Sequence, residues 1–104
     1  MPPDMLVLLR AFAGHDYFLT EHASDRAVAR GIDSHEIEDA VLSGVLLEDY
    51  PNDKYGPSCL LMGRTRRGRP LHVQVSYPPQ VKVITVYEPS SSEWHDDYSR
   101  RRTR

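Results

Sequence analysis

The most constraining feature of this sequence is the change of hydrophobic period after Gly44. From there the chain consists of four strand-like segments separated by short polar turns: Val45–Tyr50, Ser58–Thr65, Pro70–Tyr77 and Val81–Glu88. Alternation of apolar and polar residues over a few positions predicts half-buried β-strands, and the last segment is rich in β-branched residues. Because short turns join consecutive segments, the pattern predicts a mostly antiparallel sheet.

The N-terminal half predicts two helices with clear start signals. Thr20 offers a side-chain oxygen as the N-cap of a helix over Glu21–Arg30, and a glycine follows that helix. Asp33 and Glu36 have the spacing of a capping box, which opens a second helix over roughly Ser34–Ser43. These helices precede the four strands.

The remaining segments are less decisive. Tyr17–Leu19 is expected to form a short strand, whereas the apolar run Met5–Phe12 is too short to separate a helix from a strand. A C-terminal helix is expected from Ser92 or the next residue into the arginine run. The prediction is one α+β domain over residues 1–104, with an ordered core at about 16–99 and frayed termini. Its antiparallel sheet has four to five strands, with two N-terminal helices and one C-terminal helix.

Length and cysteine content exclude several classes of protein. A chain of 104 residues is one domain. A single cysteine, Cys59, excludes an intramolecular disulfide and a four-cysteine zinc site, and the five histidines have no known zinc-ligand spacing. We therefore expect no metal and no other cofactor. No apolar run approaches the roughly 20 residues that span a bilayer, so a cytoplasmic protein without a membrane partner is expected.

Charge is distributed unevenly along the chain. Residues 1–52 carry three basic and ten acidic residues, whereas residues 53–104 carry ten basic and five acidic residues, for net charges of −7 and +5. Most of the basic residues are arginines, whose planar guanidinium binds phosphate or carboxylate in two places. The asymmetry predicts a polyanion-facing surface on the C-terminal half. The alternative is a codon preference for arginine.

Strand alternation sorts the predicted sheet into two faces. In Leu71–Ser76 the odd residues are apolar and should meet the helices, so His72 and Gln74 should face outward into solvent. An odd-length loop before this strand places three residues of the preceding strand on the same outer face: Leu60, Met62 and Arg64.

The register of the last strand depends on one turn. A four-residue turn over Pro78–Val81 places Tyr87 opposite His72, brings Thr85 opposite Gln74, and buries two residues, Ile84 and Val86. A three-residue turn would reverse these faces, because a one-residue shift moves every side chain to the other side. We favour the four-residue turn, which groups polar residues with polar residues.

The outer face then combines groups that suit phosphate chemistry. It holds Arg64, His72 and Tyr87 beside a basic turn that contains Arg67 and Arg69. Histidine exchanges a proton near neutral pH, and arginine or tyrosine stabilises a phosphate. The alternative is an ordinary solvated polar face.

Two further groups of residues share a helical side. One group consists of residues spaced by four: His22, Arg26 and Arg30. They form either a phosphate-binding edge or an exposed helix face on which Arg26 pairs with a neighbouring acidic residue. Near the C-terminus, Trp94, Tyr98 and Arg101 have helical spacing. That segment suits stacking on RNA bases, docking on the core or a disordered terminus.

Four stretches of the chain resemble a bacterial family, the domain of unknown function 4258, over about residues 16–102. They are His22–Arg26 leading into Arg30–Ile32, Gly63–Thr65 with Gly68–Val73, Ile84–Pro89, and Trp94 with Tyr98 and Arg101. The family resembles the RelE/ParE toxin superfamily, which includes the BrnT-like ribonuclease toxins. The resemblance implies helices on one face of a curved sheet, a ribonuclease site on the open face, and an antitoxin partner.

The leading hypothesis is a metal-independent ribonuclease-like domain of a toxin–antitoxin type. His72 is the expected general base or acid, with His22 or Tyr87 as its counterpart. The expected phosphate ligands are five arginines: Arg26, Arg64, Arg67, Arg69 and Arg101. The expected partners are RNA, including ribosome-bound mRNA, a cognate antitoxin, and a second copy of the chain. The alternative is a non-catalytic module that binds protein or nucleic acid.

Overall fold

The computed structural model describes residues 4–54 and 56–90 and has the predicted α+β architecture. Its elements, in chain order, are α1 (Met5–Ala13), β1 (Phe18–Leu19), α2 (Glu21–Arg30), α3 (Ser34–Leu42), β2 (Val45–Tyr50), β3 (Ser58–Arg64), β4 (Pro70–Ser76) and β5 (Lys82–Tyr87). The strand order in the sheet is β1-β5-β4-β3-β2. β1 pairs in parallel with β5 and the other neighbours pair antiparallel, which confirms a mostly antiparallel sheet.

The helix boundaries follow the capping signals in the sequence. The Thr20 hydroxyl accepts the backbone N–H of Ala23 at 3.1 Å, and Gly31 ends α2 in the left-handed conformation at φ 63°. Asp33 and Glu36 form the predicted capping box, with the two hydrogen bonds at 2.9 and 3.2 Å. Local side-chain chemistry therefore determines where α2 and α3 begin.

The undecided N-terminal run is a helix, so three helices rather than two precede the main strands. Asp4 caps α1 by accepting the backbone N–H of Leu6 at 3.0 Å. Leu8 and Phe12 are fully buried, so the core begins before residue 16, where the sequence had placed its boundary. The expected C-terminal helix lies outside the described residues. No helix within 4–54 and 56–90 is long and apolar enough to cross a membrane.

The core lies between the helices and the face of the sheet that carries the odd residues of β3 and β4. Leu71, Val73 and Val75 are buried there, as the alternation predicts. α3 lies directly on β3 at Gly63, where an added Cβ would come 1.7 Å from the carbonyl oxygen of Ala40. Only a residue without a side chain permits this contact between backbones.

The pairs predicted for β5 form at its C-terminal end, but the four-residue turn is wrong: next to the turn Val75 pairs with Val83, which is the register of a three-residue turn. His72 pairs with Tyr87 and Gln74 pairs with Thr85, so the predicted neighbours across β4 and β5 are confirmed. A bulge follows, where the register shifts between Gln74 and the next residue. The bulge leaves Ile84 half-buried, so the expectation that it is buried with Val86 is wrong.

The face of the sheet opposite the core, which we call the second face, is not the solvated surface that the sequence predicts. His72 is 0% exposed, and its β3 neighbours Leu60 and Met62 are 3% and 8% exposed. The alternation of β4 correctly gives the side of the sheet on which His72 lies. It does not give exposure, because exposure also depends on what packs over that face of the sheet. The prediction that His72 faces solvent is therefore wrong.

Candidate anion-binding site

A concave site forms where α2 lies beside β5. The Thr20 hydroxyl donates to the carbonyl oxygen of Ile84 at 3.1 Å and so ties the start of α2 to the strand. The cavity between them has a volume of about 390 Å³. We call it the α2 cavity, and its lining residues are Arg26, Arg30, Thr85, Tyr87, Glu88 and Ser90.

The charges of the α2 cavity favour an anion. Arg26 and Arg30 are exposed, lie one helical turn apart and form no ion pair with any described residue. Glu88, the only carboxylate among the described lining residues, accepts the Nε–H of Arg69 at 2.6 Å and is thereby compensated. The cavity therefore holds two guanidinium groups with available hydrogen-bond donors, and the charge of its Glu88 carboxylate is compensated by Arg69. This arrangement suits a phosphate group.

Arg69, a predicted phosphate ligand, is instead bonded to the protein itself. Besides Glu88, it donates to the carbonyl oxygens of Arg30 at 2.9 Å and Gly31 at 3.2 Å, at the C-terminus of α2. The Glu36 carboxylate lies 3.5 Å from the same guanidinium. The hydrogen bond that Arg69 donates to Glu88 is the main cause of the raised pKa of Arg69. Arg69 therefore holds the β3–β4 turn against α2.

Tyr87 and His72 form a pair that reaches from the cavity into the sheet. The Tyr87 oxygen lies 3.2 Å from Nδ1 of His72, and the two rings meet edge to face with centroids 5.3 Å apart. Tyr87 is half-buried and lines the cavity, whereas His72 is fully buried and is not part of the lining. A ligand in the cavity would therefore meet Tyr87, with His72 acting through that hydroxyl.

The other predicted site residues are spread over the molecule. His22 is exposed in the first turn of α2, on the same helical side as Arg26, but it does not line the α2 cavity. Arg64 lies at the end of β3 and donates to the carbonyl oxygen of Gly68 at 3.0 Å. Arg67 is exposed in the β3–β4 turn. Arg101 lies outside the described residues.

A second and larger cavity lies on the other side of Arg69, between α3 and the β3–β4 turn. Its volume is about 700 Å³. We call it the α3 cavity, and its lining residues are Gly31, Asp33, His35, Glu36, Asp39, Thr65, Arg66, Arg67 and Arg69. Three arginines there face three carboxylates, and Arg66 lies 3.8 Å from Asp39. The opposite charges compensate one another, so this cavity has no clear preference for an anion.

Four described lining residues of the α2 cavity are absent from the site residues predicted from the sequence: Arg30, Thr85, Glu88 and Ser90. Arg30 shares a helical side with Arg26, and the spacing of four residues is the signal that indicates it. Thr85 lies two residues before Tyr87 in β5, so the strand period places both on the second face. Nothing in the sequence shows that α2 and β5 enclose a cavity between these two pairs.

Comparison with known proteins gives one match. The family model named "Domain of unknown function (DUF4258)" matches residues 19–88, from β1 to the residue after β5. No curated protein and no solved structure matches the chain. The matched region contains every described residue that lines the α2 cavity except Ser90.

Proposed function

The chain belongs to the family of the domain of unknown function (DUF4258), and within that family we propose that this member binds RNA through the α2 cavity and acts as a ribonuclease. One observation carries the proposal: Arg26 and Arg30, without ion pairs among the described residues, share a cavity with Tyr87, whose hydroxyl lies beside the buried His72. Paired guanidinium groups bind a phosphodiester, and a hydroxyl beside them is positioned to transfer a proton.

The chemistry proposed for this site is metal-independent. The 2′-hydroxyl of RNA attacks the neighbouring phosphorus, the bond to the 5′-oxygen breaks, and a 2′,3′-cyclic phosphate forms. Tyr87 protonates the leaving 5′-oxygen, while His72 exchanges a proton with the Tyr87 hydroxyl through Nδ1. His22, on the same helical side as the arginines, accepts the 2′ proton. Arg26 and Arg30 stabilise the charge that develops on the phosphorane oxygens.

The burial of His72 changes its expected role. A fully buried imidazole does not touch RNA, so His72 is a positioning residue that acts through Tyr87, whereas Tyr87 and His22 are the groups proposed to contact the substrate. Arg69 is left out of the phosphate ligands, because its donors bind Glu88 and the end of α2.

The finer assignment is a cytoplasmic toxin of the RelE/ParE type that an antitoxin protein neutralises. It is supported by the four stretches of resemblance described above, three of which lie within the described residues. The first and third of them contribute residues on both sides of the α2 cavity, Arg26 from α2 and Tyr87 from β5. An antitoxin that covers this cavity would block access of RNA to both groups.

Binding is tested with a single-stranded RNA of about ten nucleotides whose 2′-O-methyl groups remove the nucleophile. We expect the double variant Arg26→Ala/Arg30→Ala to weaken binding about tenfold or more and to lower the salt slope by about 1.4, as for two lost phosphate contacts. Arg10→Ala is the matched control, because Arg10 is exposed on α1 and lines neither cavity. Equal affinity and salt slope for the wild type and the double variant would contradict the proposed site.

Catalysis is tested separately by expressing the chain in bacteria and sequencing the RNA ends, so that translating ribosomes are present. Tyr87→Phe keeps the ring and removes the hydroxyl that faces His72. We expect discrete cleavage with the wild type and a loss of about 10²–10⁴ in rate with Tyr87→Phe. Cleavage at the wild-type rate by a folded Tyr87→Phe protein would remove Tyr87 from the mechanism.

The second candidate function is an RNA-binding module without turnover. The observation in its favour is the complete burial of His72, which leaves a single histidine, His22, exposed on the α2 side of the site. This function predicts salt-dependent RNA binding that requires Arg26 and Arg30, together with intact RNA in cells that express the wild type.

A further inference from the structure

We propose that Phe18 and Lys82 form a base-stacking subsite next to the α2 cavity, so that the ligand is single-stranded RNA with an unpaired base beside the bound phosphate. This inference rests on the proposed function and specifies its substrate. The arginines bind phosphate whether or not the bases of the RNA are paired. An exposed aromatic ring beside a cation, in contrast, requires an unpaired base on which to stack.

The pairing of β1 with β5 places the two side chains together. Phe18 is the register partner of Lys82, and Leu19 is the partner of Val83. Leu19 and Val83 pack in the core, so Phe18 and Lys82 lie on the second face of the sheet. Phe18 exposes 56% of its surface there, and Lys82 is half-buried. The ring is anchored at the sheet edge by β1 and by α2, which begins three residues later.

The same face leads directly to the α2 cavity. Thr85 and Tyr87 pair with Gln74 and His72, which lie on the second face. At a rise of about 3.3 Å per residue, Thr85 lies about 10 Å and Tyr87 about 16 Å along β5 from Lys82. An extended oligonucleotide bridges such a distance, with a phosphate at Arg26 and Arg30 and a neighbouring base at Phe18.

A nucleobase is the occupant that fits both members of the pair. Every base has a flat apolar surface that stacks on an aromatic ring, and the Lys82 ammonium attracts the adjoining phosphate. An RNA duplex hides its bases in the stack, so the subsite selects unpaired RNA. Stacking of this kind changes affinity by about 5- to 150-fold when the ring is replaced by alanine.

The test compares two 2′-O-methyl RNA oligonucleotides of equal length, one with all bases and one abasic at every position. We expect Phe18→Ala to weaken binding of the complete oligonucleotide about tenfold or more, and Phe18→Trp to retain it. The abasic oligonucleotide should bind the wild type and Phe18→Ala equally. Val28→Ala is the matched control, because Val28 is 82% exposed and lies on the side of α2 opposite Arg26 and Arg30.

Two results would overturn the inference, and they are distinguishable. If Phe18→Ala binds the complete oligonucleotide as tightly as the wild type while Arg26→Ala/Arg30→Ala does not, the α2 cavity binds RNA and the stacking subsite is wrong. If the wild type and the arginine double variant bind both oligonucleotides equally, the proposed function itself fails, and the subsite fails with it. Circular dichroism of each variant shows that the fold is retained.

Discussion

The two cavities beside Arg69 differ in what their arginines are bonded to. In the α3 cavity, which is the larger at about 700 Å³, Arg66 and Arg69 lie near carboxylates of α3. In the α2 cavity, of about 390 Å³, Arg26 and Arg30 have no ion-pair partner among the described residues. The smaller cavity is therefore the better site for an anion, because binding there does not require an existing ion pair to break.

This comparison also separates two uses of arginine within one small domain. Arg69 binds carbonyl oxygens and carboxylates of the protein and joins α2, α3 and β5 to the β3–β4 turn. Arg26 and Arg30 project from a helix that is already fixed by its caps. A count of arginines near a cavity is thus a weaker guide to phosphate binding than the partners that each guanidinium already has.

The largest expected effect concerns the contact of β3 with α3, the helix that borders the α3 cavity. Gly63→Ala places a Cβ 1.7 Å from the carbonyl oxygen of Ala40, so α3 must move away from β3. We expect the free energy of unfolding to fall by about 3 kcal/mol or more, measured by urea denaturation. Gly14→Ala is the matched control, because its Cβ would lie 3.3 Å from the carbonyl oxygen of Arg10, so only a small adjustment is needed. A small change for Gly63→Ala would show that α3 does not rest on the sheet backbone.

The next effect concerns Arg69, which lines the α3 cavity and bonds to Arg30 and Glu88 of the α2 cavity. Arg69→Ala removes the hydrogen bonds to Arg30, Gly31 and Glu88, and we expect a loss of about 2 kcal/mol in the free energy of unfolding. It also leaves the Glu88 carboxylate uncompensated beside Arg30, so RNA affinity should fall. Arg67→Ala, in the same turn but exposed, should change stability by less than about 0.5 kcal/mol. If both variants weaken RNA binding without loss of stability, Arg69 binds RNA directly and its contacts with Arg30, Gly31 and Glu88 do not stabilise the fold.

The smallest expected effect concerns Glu38 of α3, which is not among the lining residues of the α3 cavity. The Glu38 carboxylate accepts hydrogen bonds from Tyr17 at 2.6 Å and His15 at 2.8 Å. The Tyr17 hydroxyl is the main cause that lowers the pKa of Glu38 below its usual 4.5. Since the folded state binds this proton less readily than the unfolded state, the stabilisation is present above about pH 4.5 and is lost as the pH falls through the lowered value.

Glu38→Gln tests that dependence. We expect a loss of about 1 kcal/mol at pH 7 and a shallower decrease in stability between neutral and acidic pH, both measured by urea denaturation at a series of pH values. Glu21→Gln serves as the control, because Glu21 is exposed at the start of α2 and makes no hydrogen bond or ion pair with a described residue. RNA affinity at pH 7 should be unchanged in both variants, because neither residue lines the α2 cavity. Identical pH profiles for Glu38→Gln and the wild type would show that Glu38 does not stabilise the fold.

The sequence predicts more of the fold than of the site. The start signals of α2 and α3 act within four residues, so they are readable from the chain and prove correct. The pairing of Tyr87 with His72 is predicted correctly, but it depends on the bulge next to Gln74, which the turn length does not reveal. The predicted exposure of His72 is wrong, because burial of a sheet face depends on what packs over it, and the alternation within β4 contains no information about that.

By itself, the sequence determined where α2 and α3 begin, the two faces of β4 and the helical side shared by Arg26 and Arg30, since all of these depend on local hydrogen bonds and on the periods of helix and strand. Only the tertiary structure decided which arginines are available to a ligand. Arg69 reaches the carbonyl oxygen of Arg30, 39 residues away, and that contact exists only once α2, α3 and the sheet have packed. The physical reason is that ion pairing is a property of the assembled surface, whereas capping and periodicity are properties of neighbouring residues.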